Sequence, residues 1–231
     1  MKECNNSCDL ESCFLCQYCL PDWLPAIAAH KKNYEVKKGE QIFKEGDAVT
    51  GIFFIYKGTF KVHKRWDQEK ELIIRFAKQG DIIGHLGLGN DPLYPVSATA
   101  LTPAVVCYLE RSFFESTVTV NTHLAYKLML FLADELQQSH RSMRNLAHMS
   151  VKARIAQSLI SLKNQFGISH TGSINLELTR QDIASFAGTT YETLFKVVNE
   201  LTKRNIILLT GKKVFIKEEE MLLELIKQDN L

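Results

Sequence analysis

Six cysteines stand in this chain of 231 residues, and five of them, Cys4, Cys8, Cys13, Cys16 and Cys19, fall within the first 19 positions. Thiolate sulfur is a soft metal ligand, and Cys13-x2-Cys16-x2-Cys19 has ligand-like spacing. In a reducing compartment such a cluster points to metal binding ahead of disulfides. The sixth, Cys107, lies in the alternating run AVVCYLE, where a cysteine is also an ordinary core side chain. The residue types leave open a metal site, zinc included, and thiols that ligate nothing.

A second chemistry-bearing group runs from Thr179 to Lys213. Thr179 is followed three residues later by Asp182, a pattern that caps a helix start, and the helix buries Ile183, Ala184 and Phe186. Ala187 and Gly188 break it. Thr189 and Glu192 predict a second capping box, opening a helix to about Lys203 whose inward face is Leu194, Val197, Val198 and Leu201. Its solvent face then carries Tyr191, Glu192, Phe195, Lys196 and Asn199. Beyond it, IILLT and KVFI flank Gly211 and Lys212, which reads as a two-stranded hairpin with a basic tip. Helix, short turn and helix followed by such a wing is a DNA-reading arrangement, in which the second helix enters the major groove by its N-terminal half. The candidate DNA contacts are Thr179, Arg180, Gln181, Thr189, Thr190, Tyr191, Glu192, Phe195, Lys196, Asn199, Lys212 and Lys213.

The charge distribution agrees. Residues 1–149 carry 17 basic and 17 acidic side chains, residues 150–217 carry 10 and 4, and residues 218–231 carry 1 and 5. The net charge of +2 therefore conceals a basic block around the helix pair, as phosphate binding requires. No stretch approaches the ~18 apolar residues of a membrane-spanning helix. The opening MKECNNSCDLESC is polar where a secretion signal is apolar, so a cytoplasmic protein with no membrane partner is expected. Enzyme signatures are missing: there is no G-x-x-x-x-G-K-[ST], G-x-S-x-G or H-E-x-x-H, and Gly84, Gly87 and Gly89 lack dinucleotide-binding spacing. A non-enzymatic role is expected.

The elements that must position these groups differ between the two halves. Eight of the 12 glycines lie between Gly39 and Gly89, and short alternating runs such as EQIFKEGD, IFFIYKGTFKVHKR and VSATALTPAVVCYLE predict a small antiparallel barrel or jelly roll. From about Thr117 to Ala147 the period becomes helical. Ala125, Met129, Leu132, Leu136, Ser139, Met143 and Leu146 form a heptad seam, while Leu124, Leu128 and Phe131 make a second apolar face. A long helix packed on its own barrel by one face and on a partner helix by the other satisfies both, and a single buried amphipathic helix is the alternative.

The order of these parts resembles the CRP/FNR family of bacterial transcription regulators, on KKGEQIFKEGD, IYKGTFKV, KQGDIIGHLGL, VSATAL and TRQDIASFAGTTYETLFKVVNELTKRNII. The resemblance implies an α+β fold: a Cys-rich segment (1–22), an effector-sensing β-roll (23–116), a dimerisation helix (117–148) and a winged helix-turn-helix (149–231). It implies a homodimer on palindromic double-stranded promoter DNA, in contact with RNA polymerase. The family's recognition helix pairs a Glu with an Arg four residues on; here they are Glu192 and Lys196, and lysine lacks arginine's bidentate grip on guanine.

Cyclic-nucleotide-binding members of the family hold ribose and phosphate with Gly-Glu-Leu and Arg-Ser-Ala. The corresponding frame here is Gly84-His85-Leu86 and Val96-Ser97-Ala98, which predicts no cyclic AMP in the usual mode; His85 reads as an ordinary partly exposed histidine, with contact to another anion as the alternative. The FNR branch holds a four-iron four-sulfur cluster with three N-terminal cysteines and one on a late strand. By that resemblance Cys13, Cys19 and Cys107 are ligands, Cys8 or Cys16 completing a set whose remaining position is Leu10. Zinc is the second cofactor reading. The second functional reading is a ligand- or redox-binding module that acts through protein partners, its winged helix non-functional.

Overall fold

The computed structural model describes residues 1–4, 13–65 and 70–228, and Cys8 lies outside them. The chain divides into two compact units, Met1–Glu135 and Leu136–Leu231.

The first unit opens with β1 (Lys2–Cys4), α1 (Phe14–Tyr18), a 3-10 turn at Pro21–Trp23 and α2 (Leu24–His30). Strands β2 (Lys32–Val36), β3 (Gln41–Phe43), β4 (Gly51–Lys57), β5 (Phe60–Arg65), β6 (Glu71–Ala77) and β7 (Ile82–Ile83) follow, then a 3-10 turn at His85–Leu88, β8 (Ser97–Ala100) and β9 (Ala104–Glu110). They form two antiparallel sheets, ordered β1-β2-β9-β4-β7 and β3-β8-β5-β6. Helix α3 (Arg111–Val120) comes next, and α4 (Thr122–His148) runs across the boundary of the units.

Strand β4 explains the build. Its GIFFI run is apolar at every position because both faces are covered: Phe53 and Ile55 join the interior of the roll with Phe43, Phe60, Tyr94 and Val106, while Ile52 and Phe54 join a second core. That second core gathers Leu15, Ile27, Phe114, Leu124 and Leu128 from the helices. Strand alternation sends Val106 to the first core and Cys107 to the second. Gly51 permits a close crossing, since a Cβ there would lie 2.2 Å from the Leu109 carbonyl oxygen.

The sequence reading started the long helix at residue 117, but Thr117–Val120 belong to α3 and the chain breaks at Asn121. Apolar periodicity runs through the break and hides it. Asn121 is wholly buried with φ −111° and ψ 82°, and its Nδ2 donates to the Thr117 carbonyl at 2.8 Å. A polar side chain thus supplies the bond that ends the helix.

The second unit contains the rest of α4, then α5 (Val151–Phe166), α6 (Arg180–Phe186), α7 (Tyr191–Lys203), β10 (Ile207–Thr210), β11 (Lys213–Ile216) and α8 (Glu219–Gln228). Ser150 caps α5, its hydroxyl accepting from the Ala153 N–H at 3.2 Å. Strands β10 and β11 pair as an antiparallel hairpin from Ile207↔Ile216 to Thr210↔Lys213. Among the described residues, no helix is long and apolar enough to cross a membrane.

Candidate functional site

The helix pair is built by local chemistry. Thr179 and Asp182 form a complete capping box: the Thr179 hydroxyl accepts from the Asp182 N–H at 3.0 Å, and the Asp182 carboxylate accepts from the Thr179 N–H at 3.1 Å. At the turn, Gly188 takes φ +62°, a left-handed conformation that favours glycine, and the Thr189 N–H returns to the Ala184 carbonyl at 3.0 Å. Arg154 on α5 then locks the corner. Its guanidinium donates to the carbonyls of Ala187 (3.1 Å), Gly188 (3.1 Å) and Met149 (2.9 Å). Sequence reading missed Arg154, because its partners are backbone carbonyls, two of them more than 30 residues away, and leave no pattern.

The start of α7 corrects the sequence reading by one residue. Thr190, not Thr189, is the cap: it is extended (φ −82°, ψ 158°), and its hydroxyl accepts from the Thr193 N–H at 3.3 Å. The run TTYET offers both registers. The left-handed Gly188 and the Thr189 N–H, already engaged with Ala184, select the second.

Leu194, Val198 and Leu201 are buried, Val197 is half-buried, and Tyr191, Glu192, Phe195, Lys196 and Asn199 are exposed. Glu192 is fully open to solvent, and its carboxyl lies below its ordinary value through its own backbone N–H, the Thr190 hydroxyl and Lys196. A carboxylate so placed is ionised at neutral pH and can accept from cytosine N4. Tyr191 and Phe195 stack at 6.4 Å between centroids, and the Arg180 guanidinium lies 5.8 Å over the Phe195 ring. Gln181, Thr190, Lys212 and Lys213 are exposed; Thr189 and Arg180 are half-buried. Hydrogen bonds from the Ile174 N–H to the Val214 carbonyl (2.8 Å) and from the Leu178 N–H to the Lys212 carbonyl (3.2 Å) anchor the hairpin.

The effector frame in the first unit is occupied by the protein's own groups. His85, expected to be partly exposed, is 4% exposed. Its Nε2 lies 2.7 Å from Glu135 on α4, and Arg75 Nε donates to the other oxygen of that carboxylate at 2.8 Å. Burial alone would raise the Glu135 carboxyl, but His85 and Arg75 hold it below its ordinary value. Ser97 is buried and its hydroxyl accepts from the Glu45 N–H at 3.0 Å. Gly84 and Val96 are buried and Leu86 is exposed. Tyr94 stacks on Phe43 at 4.2 Å and donates to the Gly51 carbonyl at 2.7 Å.

Cys13, Cys16, Cys19 and Cys107 are all buried in the second core, none of them in a disulfide. The Cys19 thiol donates to Asn121 Oδ1 at 3.1 Å, and the same oxygen accepts from the Leu20 N–H at 2.8 Å. Burial pushes the Cys19 thiol above its ordinary value, partly offset by the Leu20 N–H. Among the described residues, no three His, Cys, Asp or Glu side chains are grouped so that they could hold a metal ion. The four thiols, three from the N-terminal segment and one from β9, belong to one hydrophobic core, and cysteine sulfur is the ligand type of iron–sulfur clusters.

Along α4, Met129 (56%), Leu136 (57%) and Met143 (56%) are more than half exposed, Leu132 and Leu146 are exposed with Ser139, and Ala125 is half-buried. Leu124 and Leu128 are covered by the first unit's own core.

A β-roll followed by a long helix and a winged helix-turn-helix is the architecture of an effector-responsive transcription regulator. Residues 34–121 match the cyclic nucleotide-binding domain and residues 153–225 match the Crp-like helix-turn-helix domain. The chain is 30% identical over 190 residues to the cAMP-activated global transcriptional regulator CRP of Escherichia coli O6:H1, covering 81% of this chain and 90% of that one. It is 27% identical over 226 residues to the fumarate and nitrate reduction regulatory protein of Vibrio cholerae, covering 93% and 89%. The structure of FixK2 from Bradyrhizobium japonicum shares the fold, with a TM-score of 0.74, 22% identity and coverage of 84% and 96%. The chain belongs to the CRP/FNR family of DNA-binding transcription regulators.

Proposed function

We propose that the protein is a homodimeric regulator that places α7 of each copy in the major groove of a palindromic promoter site and answers to RNA polymerase in the cytoplasm. The observation that carries this reading is the exposed row Tyr191, Glu192, Phe195, Lys196 and Asn199 on a basic unit, beside the wing lysines Lys212 and Lys213. The apolar stripe of α4 from Met129 to Leu146 is the surface a second copy covers. The role is regulatory and not enzymatic.

Cyclic AMP is not the signal in the family's usual mode. Val96 cannot pair with a phosphate, Ser97 is engaged with Glu45, and the Arg75 guanidinium and the His85 imidazole already share Glu135. The sensor reading that the family resemblance supports is an iron–sulfur cluster held by Cys13, Cys19 and Cys107 with Cys8 or Cys16, Cys8 lying beyond the described residues. Such a group supplies reversible one-electron chemistry and sensitivity to oxidants when bound. Asn121 connects that pocket to the helix start: its side-chain oxygen holds Cys19 and Leu20 while its Nδ2 closes α3. Any change at the Cys19 sulfur therefore reaches the first residue before α4.

Two measurements test the reading. Binding to double-stranded DNA selected from a random pool should weaken steeply with salt, and salt-independent or absent binding would favour a module that works through protein partners. Protein prepared without oxygen should absorb visible light and lose that absorption in both Cys19→Ala and Cys107→Ala; colourless protein without bound iron removes the cluster.

A further inference from the structure

Two large aromatic rings stand side by side on the outer face of α7. Phe195 is 42% exposed and Tyr191 40%, although the same helix buries Leu194, Val198 and Leu201. The exposed part of both rings forgoes apolar burial, and an occupant that covered it would recover that burial. The surroundings say which kind. Lys196 follows Phe195, Glu192 follows Tyr191, Arg180 lies over the Phe195 face, and Lys212 and Lys213 tip the wing. A polyanion that also offers an apolar group meets this mixture, and in the major groove that group is the C5-methyl of thymine.

We infer that Phe195 reads a thymine methyl in each half-site, that Tyr191 extends the same apolar ledge toward a second base, and that Arg180 is a positioning residue that holds the Phe195 ring. This rests on the DNA-binding reading above and adds the base it selects. The ring centroids are 6.4 Å apart at an interplanar angle of 17°, close to two base steps of about 3.4 Å each. The residues one turn apart on α7 are therefore spaced to meet bases two steps apart along one groove wall. Arg180 sits 5.8 Å over the Phe195 ring, so the cation restricts the ring on one side and leaves its edge for the base. Lys196, next to Phe195, is a point charge with no bidentate fork for guanine, which leaves more of the discrimination to apolar contact.

The test uses the full-length protein and an operator selected from random double-stranded DNA, remade with deoxyuridine replacing thymidine at each position in turn. Deoxyuridine pairs as thymidine does and lacks only the methyl. At the Phe195 position wild-type protein should bind the uracil operator about 4-fold more weakly, the equivalent of ~0.8 kcal/mol for one buried methyl at 1.4 kcal/mol per tenfold. Phe195→Ala should erase the thymine-over-uracil ratio, and Phe195→Tyr, which keeps the ring, should retain it. Arg180→Ala should shrink the ratio as well as lowering affinity, whereas a residue that merely holds the helix would lower both affinities alike and leave the ratio intact. Equal binding of both operators by wild-type protein, or a full ratio in Phe195→Ala, overturns the inference while leaving DNA binding standing. Failure to bind any duplex overturns both.

Discussion

The two units place their candidate site residues in opposite environments. In the second, Glu192, Phe195, Lys196 and Asn199 are exposed on one helix, and their positions follow from a cap at Thr190 and a helical period. In the first, His85, Ser97, Cys19 and Cys107 are buried, and each is defined by a partner distant in sequence: Glu135, Glu45, Asn121 and the N-terminal segment. A surface that must meet an external partner leaves its groups unsatisfied and local. The buried groups of the first unit are instead satisfied by elements distant in the chain.

The difference can be broken first at α4. Leu132→Glu with Leu136→Glu adds charge to the exposed stripe and should give monomers in sedimentation, with DNA affinity reduced by roughly 100-fold or more as two half-sites cease to act together. Unchanged dimers would move the interface elsewhere.

The buried polar groups of the first unit should titrate as stability. Glu71 is drawn down to about 2 from an ordinary value of 4.5, chiefly by the hydrogen bond with His63, against the opposing effect of burial and with help from Lys61. A depressed carboxyl stabilises the fold above its unfolded value and loses that contribution as pH falls through the folded one. Between pH 4.5 and about 2, unfolding free energy should therefore fall by about 1–3 kcal/mol more in wild-type protein than in Glu71→Gln. Parallel pH profiles from chemical denaturation would show that the pair contributes nothing.

Glu192→Ala should leave stability within ~0.5 kcal/mol, since its carboxylate is fully exposed. It should cost about 1–3 kcal/mol of discrimination at one base pair per half-site, measured by competition between operator variants. Smaller still, Lys212→Ala or Lys213→Ala should weaken every sequence alike and lower the salt slope by about 1.

The same contrast explains what the sequence discloses. Capping residues, the i, i+4 row of α7, the basic hairpin tip and the alternating strands are local signals, so the winged helix and the roll are legible before any coordinates. Four features are not. The break at Asn121 is concealed by apolar spacing that continues across it, and Arg154 acts on backbone carbonyls that have no sequence identity. His85 looks like a surface histidine until Glu135, 50 residues later, arrives opposite its ring. Thr189 and Thr190 differ only in a backbone choice made by Gly188.

The most direct measurement is selection of full-length protein against random double-stranded DNA, followed by binding to the recovered consensus. The expected result is a two-fold symmetric site with half-sites about one helical turn, or 10–10.5 base pairs, apart, at which Glu192→Ala relaxes one position in each half. Recovery of no consensus, or of one that Glu192→Ala reads unchanged, would contradict the assignment of α7 as the element that reads DNA.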